Sequence, residues 1–262
     1  MEYALITGAA SGMGRIYAAR LKRMGYALAL VDIDADGLAT LAQELSGDAG
    51  TDVICIVQDL TEGDAAGKIA GRLERSGAQV AVLVNNAGMI FTTPIASTPA
   101  RSLAKMTALH ITAPLLLCRE FVPGMVERGG GRILNVSSIC AWMHWPAIGM
   151  YGNTKAFIRD FSRSLRLECR GTGVSVTTAI FGAVDTPLFG FSPSTRRTLR
   201  RLGLMTTPEK AVDRALHALF EGKKKAAPGL LNRLAVPVVA ILPDCIISPL
   251  YRKFGKYLNP RG

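Results

Sequence analysis

The sequence predicts an α/β protein built on a doubly wound parallel sheet, and three observations carry that prediction. Short apolar runs of strand length alternate with longer stretches of helical period. A glycine-rich turn, Thr7-Gly8-Ala9-Ala10-Ser11-Gly12-Met13-Gly14, falls where the first run meets the first helical stretch. The 262 residues are 49% hydrophobic, enough for one large core, and no repeat or linker divides them.

In order along the chain, Tyr3 to Thr7 reads as the first strand, followed by a helix to about Met24 that Gly25 can close. Tyr26 to Val31 is the second strand and Asp36 to Leu45 the second helix. Val53 to Gln58 and Val80 to Val84 are strands three and four, with a helix from Asp64 to Arg75 between them. A long helix is expected from about Pro99 to Glu127, bent at Pro114, and Gly129-Gly130-Gly131 ends it. Arg132 to Val136 is strand five, Met150 to Arg170 a helix and Val174 to Phe181 strand six. Gly182 to Met205 has weak periodicity and reads as a long connection. Thr207-Pro208-Glu209 then supplies an N-cap, a first-turn proline and an early acid for a helix that Gly222 closes. Residues 1–228 are expected to form the dinucleotide-binding unit, with 229–262 a short helical extension on or beside it.

The formal charge is +11, and residues 194–262 hold 14 Lys/Arg against 4 Asp/Glu, or +10 of it. A basic end suits an anionic substrate, a membrane surface or simple solvation. Nucleic acid is disfavoured, because no aromatics interleave Lys223-Lys224-Lys225. Five dispersed cysteines with no C-x-x-C pair argue for reduced thiols and against a zinc site. With no leader-like N-terminus and no obvious spanning run, a cytoplasmic protein is expected, with peripheral membrane contact as the alternative.

The glycine turn suits a phosphate loop: the backbone must approach a pyrophosphate without an intervening Cβ, and the following helix N-terminus offers N–H groups and a positive dipole end. Asp32 ends the second strand 18 residues after Gly14. A carboxylate there accepts from ribose hydroxyls and repels a 2′-phosphate, favouring NAD over NADP. Arg15 is the competing phosphate partner, while Asp34 and Asp36 read as surface or helix-start residues. Further on, Tyr151-Gly-Asn-Thr-Lys155 puts a phenol and an ammonium one helical turn apart, and Ser137-Ser138 ends strand five. Oxidising an alcohol by hydride loss requires a base, and a free phenol (pKa ~10) is a weak one at neutral pH. A cation about 4 to 5 Å away would lower it by roughly two pKa units. Ser138 would hold the substrate oxygen.

Taken together these motifs resemble the short-chain dehydrogenase/reductase family over roughly residues 1 to 190. The resemblance implies a Rossmann-type fold and an alcohol dehydrogenase or ketoreductase with Ser138, Tyr151 and Lys155 as catalytic residues. It implies cofactor contacts from Gly8, Ser11, Gly12, Met13, Gly14, Asp32, Asp59, Leu60, Asn86, Ala87, Gly88, Tyr151, Lys155, Gly182, Val184 and Thr186. The N-N-A-G turn at Asn85 to Gly88 would support the sheet, Asp59 would meet adenine and Thr186 the carboxamide. His110 stands where the family usually has an asparagine that anchors a relay water. A histidine there either keeps the relay with altered pH dependence or is a packing substitution. No metal is expected.

Between Ser138 and Tyr151 lie Trp142, His144 and Trp145, which with Phe189 are expected to line a bulky apolar substrate pocket of steroid, retinoid or fatty-acyl type. The tryptophans can equally be core or subunit-contact residues. The apolar, basic tail from Leu230 to Tyr257 reads as two or three short helices serving as a subunit interface, a pocket cap or a membrane-surface contact. A homodimer or homotetramer is expected from the family's habit of pairing the two long helices. The competing functions are a nucleotide-binding regulator that has lost turnover and an NADP-dependent ketoreductase.

Overall fold

The computed structural model describes residues 1–46, 52–143, 145–146, 148–186, 193–201, 203, 205–226 and 240–258. Seven parallel strands run in the order β3-β2-β1-β4-β5-β6-β9: Glu2–Thr7 (β1), Ala27–Asp32 (β2), Val53–Val57 (β3), Gln79–Asn85 (β4), Gly131–Ser138 (β5), Val174–Phe181 (β6) and the two-residue edge Lys225–Ala226 (β9). The Rossmann-type doubly wound sheet expected from the sequence is therefore present. Most strand residues are buried on both faces, which is why β1 and β2 read as nearly continuous apolar runs rather than alternating ones. One face packs against α1 (Gly12–Arg23), α2 (Ala35–Leu45) and α8 (Pro208–Phe220), with Tyr17, Leu21, Leu38, Leu41 and Leu219 at its centre. The other packs against α3 (Ala65–Arg75), α5 (Ala113–Glu127) and α6 (Gly149–Glu168) through Ile69, Leu73, Leu117, Met125 and Leu165.

Strand order reverses between β1 and β4, the point where open α/β sheets bind ligands beyond the carboxyl ends of their strands. The glycine turn, the N-N-A-G turn and the end of β5 all meet there.

The helix expected from Pro99 is α4 (Ala100–Thr107), a π turn (Ala108–Thr112) and α5 in continuous succession. The irregularity predicted at Pro114 lies one turn earlier. Proline has no N–H for the carbonyl of His110, and the ladder widens so that Ala113 N–H bonds Ala108 C=O. By length and composition the run Ala100–Glu127 is apolar enough to cross a membrane, which the sequence reading did not anticipate. Here it packs against the sheet and α3.

Three elements escaped the sequence reading. A second small sheet pairs β7 (Ala183–Val184) with β8 (Met205–Thr206). Helix α7 (Pro193–Arg201) occupies what was expected to be irregular chain. Strand β9 extends the basic Lys223-Lys224-Lys225 run into the sheet edge beside Thr178 and Ala179. In the tail, α9 (Asp244–Leu258) carries an internal Pro249; residues 227–239, with the expected domain boundary and the first part of the expected helical tail, lie outside the described residues.

Candidate active site

Glycine turn and helix start are locked by contact. A Cβ on Gly14 would sit 1.9 Å from the carbonyl oxygen of Gly8, so helix α1 can approach the loop only with glycine there. Gly8 and Gly12 take positive φ of 65° and 51°, where other residues are strained. The Ser11 side chain makes no capping bond and the first turn of α1 contains no acid. Its dipole end is thus neither capped by a side chain nor neutralised, as an anion site requires. Asp32 faces this loop: one carboxylate oxygen accepts from Ala10 N–H at 2.9 Å and the other from Asp34 N–H at 3.1 Å. Asp34 caps α2 by accepting from Gly37 N–H. The guanidinium of Arg15 is held by Glu44 and the carbonyl of Ala10.

On the other side of the switch point, Thr7 and the N-N-A-G turn are stitched together. Asn86 Nδ2 donates to the carbonyls of Thr7 and Gly8, and the N–H groups of Asn86 and Ala87 donate to Thr7 Oγ1 at 3.0 and 3.1 Å. Below, Asn85 Nδ2 donates to Asn135 Oδ1 at 2.8 Å and Asn135 Nδ2 to Ser162 Oγ at 2.9 Å, a polar ladder tying β4, β5 and α6. Asp59 accepts from the N–H and hydroxyl of Thr61, which with Lys105 hold its carboxyl below the usual range. Leu60 is buried beside it.

One cleft collects Met13, Asn86, Gly88, Ser138, Tyr151, Lys155, Gly182, Val184 and Thr186. Ser138, Tyr151 and Lys155 thus share a single site with half of the residues expected to bind the cofactor, while His110 lies outside its lining. Lys155 Nζ donates to the carbonyl of Val136 at 3.1 Å and lies 5.8 Å from the ring centre of Tyr151. Ser138 Oγ accepts from Cys140 N–H at 3.1 Å and is hydrogen-bonded to the Tyr151 phenol. Burial pulls Lys155 down to about 8. It pushes the Tyr151 phenol upward, reinforced by Cys140 and opposed by Ser138. The expected lowering of Tyr151 by a neighbouring cation is therefore not a property of the protein alone; burial is the largest influence on the phenol and raises it.

His110 is 1% exposed and its ring stands edge-on to Tyr151 at 5.7 Å. Burial and the Lys155 charge hold it well below the ordinary imidazole range, so titration near neutrality, one expectation for this residue, does not follow.

The substrate-side residues separate. Trp145 and Met150 line an apolar cavity of about 440 Å³ with Phe91, Pro94, Ile95, Leu103 and Met106. Trp142 instead stacks against the guanidinium of Arg159, whose carbon lies 4.7 Å from the ring centre, and lines neither cavity. His144 and Phe189 lie outside the described residues. Residues the sequence did not flag include Thr154, inside the Tyr-to-Lys spacing, and Arg196. Arg196 donates to the carbonyl of Thr186 at 2.9 Å, while it and Arg200 both pair with Asp185 at 3.3 Å. Their signal was the arginine content of α7, read only as bulk charge. Among the described residues no group of three His, Cys, Asp or Glu could hold a metal.

A nicotinamide dinucleotide fits these residues: a cradle closed to any Cβ, a helix N-terminus free of acid, and an acid at the end of β2. The comparisons agree. The family model for short chain dehydrogenases matches residues 2–197. A very-long-chain 3-oxoacyl-CoA reductase of Anas platyrhynchos is 30% identical over 99% of this chain and 81% of its own length. A 17-beta-hydroxysteroid dehydrogenase type 3 of Mus musculus is 32% identical over 71% of this chain and 61% of its own length. Among solved structures, a short-chain dehydrogenase from Sphingobium yanoikuyae in complex with NADPH is 28% identical, with TM-score 0.77, covering 93% of this chain and 97% of its own. The chain is an oxidoreductase of the short-chain dehydrogenase family.

Proposed function

We propose that this protein interconverts a secondary alcohol and a ketone on a bulky apolar molecule, with NAD(H) as hydride carrier. The observation that carries it is the convergence of Ser138, Tyr151 and Lys155 on one cleft at the sheet's switch point. The cofactor supplies or takes the hydride; the side chains handle the oxygen and its proton. Ser138 orients the substrate oxygen by hydrogen bonding. Burial keeps Tyr151 protonated at neutral pH, so in reduction its O–H is the proton donor to the oxygen as the hydride arrives. Lys155, held by Val136, supplies the positive charge that stabilises the phenolate left behind and a donor for the nicotinamide ribose. Thr186 and Gly182 at the cleft wall would hold the nicotinamide end, and Asp59 with Leu60 the adenine end.

NAD is supported by Asp32, whose fixed carboxylate would face a 2′-phosphate, and by Arg15, already paired with Glu44. The NADPH bound to a solved relative favours the second reading, an NADP-dependent ketoreductase. The apolar cavity beside Met150 supports a fatty-acyl or steroid-like substrate, the classes named for the two relatives above. Exposed Leu115 and Val126 on α5 and Phe157 and Leu167 on α6 support a homodimer or homotetramer through these helices. A cytoplasmic protein with peripheral membrane contact through the tail is consistent with exposed Ile241 and Ile246 in a segment whose sequence also carries Arg252, Lys253 and Lys256. Residues 1–228 would act as the catalytic unit and 229–262 as its extension.

Initial rates with NADH and NADPH in parallel on 3-oxoacyl thioesters, oxosteroids and simple ketones test the reading. NADH-linked turnover on a bulky apolar ketone is expected. Turnover with NADPH alone overturns the Asp32 argument; cofactor binding without any turnover favours the regulator instead.

A further inference from the structure

The hydrogen bonds around His110 leave one consistent placement of protons. The backbone N–H of Met89 can only donate, and it points at Nε2 at 2.9 Å, so Nε2 is unprotonated. A neutral imidazole then carries its proton on Nδ1, which lies 2.9 Å from Thr154 Oγ1. Thr154 has one hydroxyl proton and gives it to the carbonyl of Tyr151 at 2.8 Å, so it accepts from Nδ1. The chain runs in one direction, from Met89 N–H through His110 and Thr154 to the carbonyl of Tyr151. No ring nitrogen remains for a water.

We propose that His110 is a positioning residue that locks the turn on the cofactor side of the cleft to the backbone of the catalytic tyrosine. This rests on the reading of Tyr151 as the acid–base residue. Met89 follows the N-N-A-G turn at the cleft floor, and Tyr151 opens the second half-turn of α6. Fixing the peptide of one to the carbonyl of the other fixes the spacing between nicotinamide and phenol. Gly88 makes room for the arrangement: a Cβ there would lie 3.2 Å from His110 Nε2 and 3.7 Å from Lys155 Nζ.

Side-chain reach explains why histidine serves here. Asparagine has polar atoms only at the δ position, so it can keep Thr154 but loses Met89. Glutamine has them only at ε, so it can keep Met89 but loses Thr154. A ring with nitrogens at both positions spans the gap with a single proton.

The test uses His110→Asn, His110→Gln and Thr154→Val in the full chain, with kcat, NADH affinity and ¹⁵N spectra of the imidazole. The expected result is a fall in kcat of about ten- to a hundredfold for each variant, from misplacement of the phenol, with NADH affinity unchanged. The double variant His110→Gln/Thr154→Val should be no worse than its poorer single, since each breaks the same link. The wild-type ring should show a proton coupled to Nδ1 and none on Nε2. Full kcat in His110→Asn, or a proton on Nε2, overturns the proposal. Absence of wild-type turnover defeats the acid–base reading instead, and the ¹⁵N spectrum then decides the link by itself.

Discussion

Replacing Lys155 by methionine should make the protein more stable while disabling it. Lys155 is 5% exposed, its one hydrogen bond among the described residues goes to the Val136 carbonyl, and burial pulls it from 10.5 to about 8. Keeping it charged in the folded state therefore costs about 3 kcal/mol, at roughly 1.4 kcal/mol per pKa unit. Methionine fills the same space without that cost and forfeits a bond worth about 1 kcal/mol, for a net gain near 2 kcal/mol. In a domain of this size that raises Tm by about 4 to 8 °C. The pH dependence follows from the sign of the shift. Between the folded value near 8 and the unfolded 10.5, the unfolded chain binds more protons, so wild-type stability rises with pH across that window. The advantage of the variant should be full below pH 8 and, once the charging cost is gone above 10.5, reverse to a deficit of about 1 kcal/mol from the lost bond. Turnover should fall by at least about a hundredfold, since the phenolate loses its cation. Calorimetry of both proteins from neutral to alkaline pH is the assay. A lower Tm in Lys155→Met at neutral pH, or a difference that does not change with pH, would refute the reasoning.

Other outcomes follow from the same geometry. Gly14→Ala should abolish cofactor binding in a fluorescence titration and lower Tm, because its Cβ meets the Gly8 carbonyl at 1.9 Å. Asp32→Asn, which keeps one acceptor oxygen for the Ala10 or Asp34 N–H, should shift the ratio of NADPH to NADH affinity about tenfold toward NADPH, or roughly 1.4 kcal/mol. Arg196→Met removes the bond to Thr186 and should weaken NADH binding by about 1 kcal/mol, roughly fivefold, measured by calorimetric titration.

The parts of the fold legible in the sequence were those with a strong local cause. The buried parallel strand β2 is an apolar run up to Asp32, Thr207 and Pro208 mark a helix start, and the glycine turn announces itself by chemistry. What stayed hidden depended on tertiary partners. Helix α7 has four arginines in nine residues and little apolar period; Asp185 pairs with two of them, Arg196 and Arg200. Strand β9 exists only because β6 lends it a partner. At the site, Ser138, Tyr151 and Lys155 were found from spacing, but their electrostatics were not: the elevation of Tyr151 comes from burial, which no spacing reports. Trp142 and Trp145 look alike in sequence, yet Arg159 claims one and the apolar cavity the other.

The most direct test of the acid–base assignment is single-turnover hydride transfer in Tyr151→Phe, followed by NADH absorbance with cofactor binding measured on the same sample. The phenol hydroxyl is the proton donor in this account, so the rate should fall by about two to four orders of magnitude while NADH affinity holds. A Tyr151→Phe protein that turns over at the wild-type rate would contradict it.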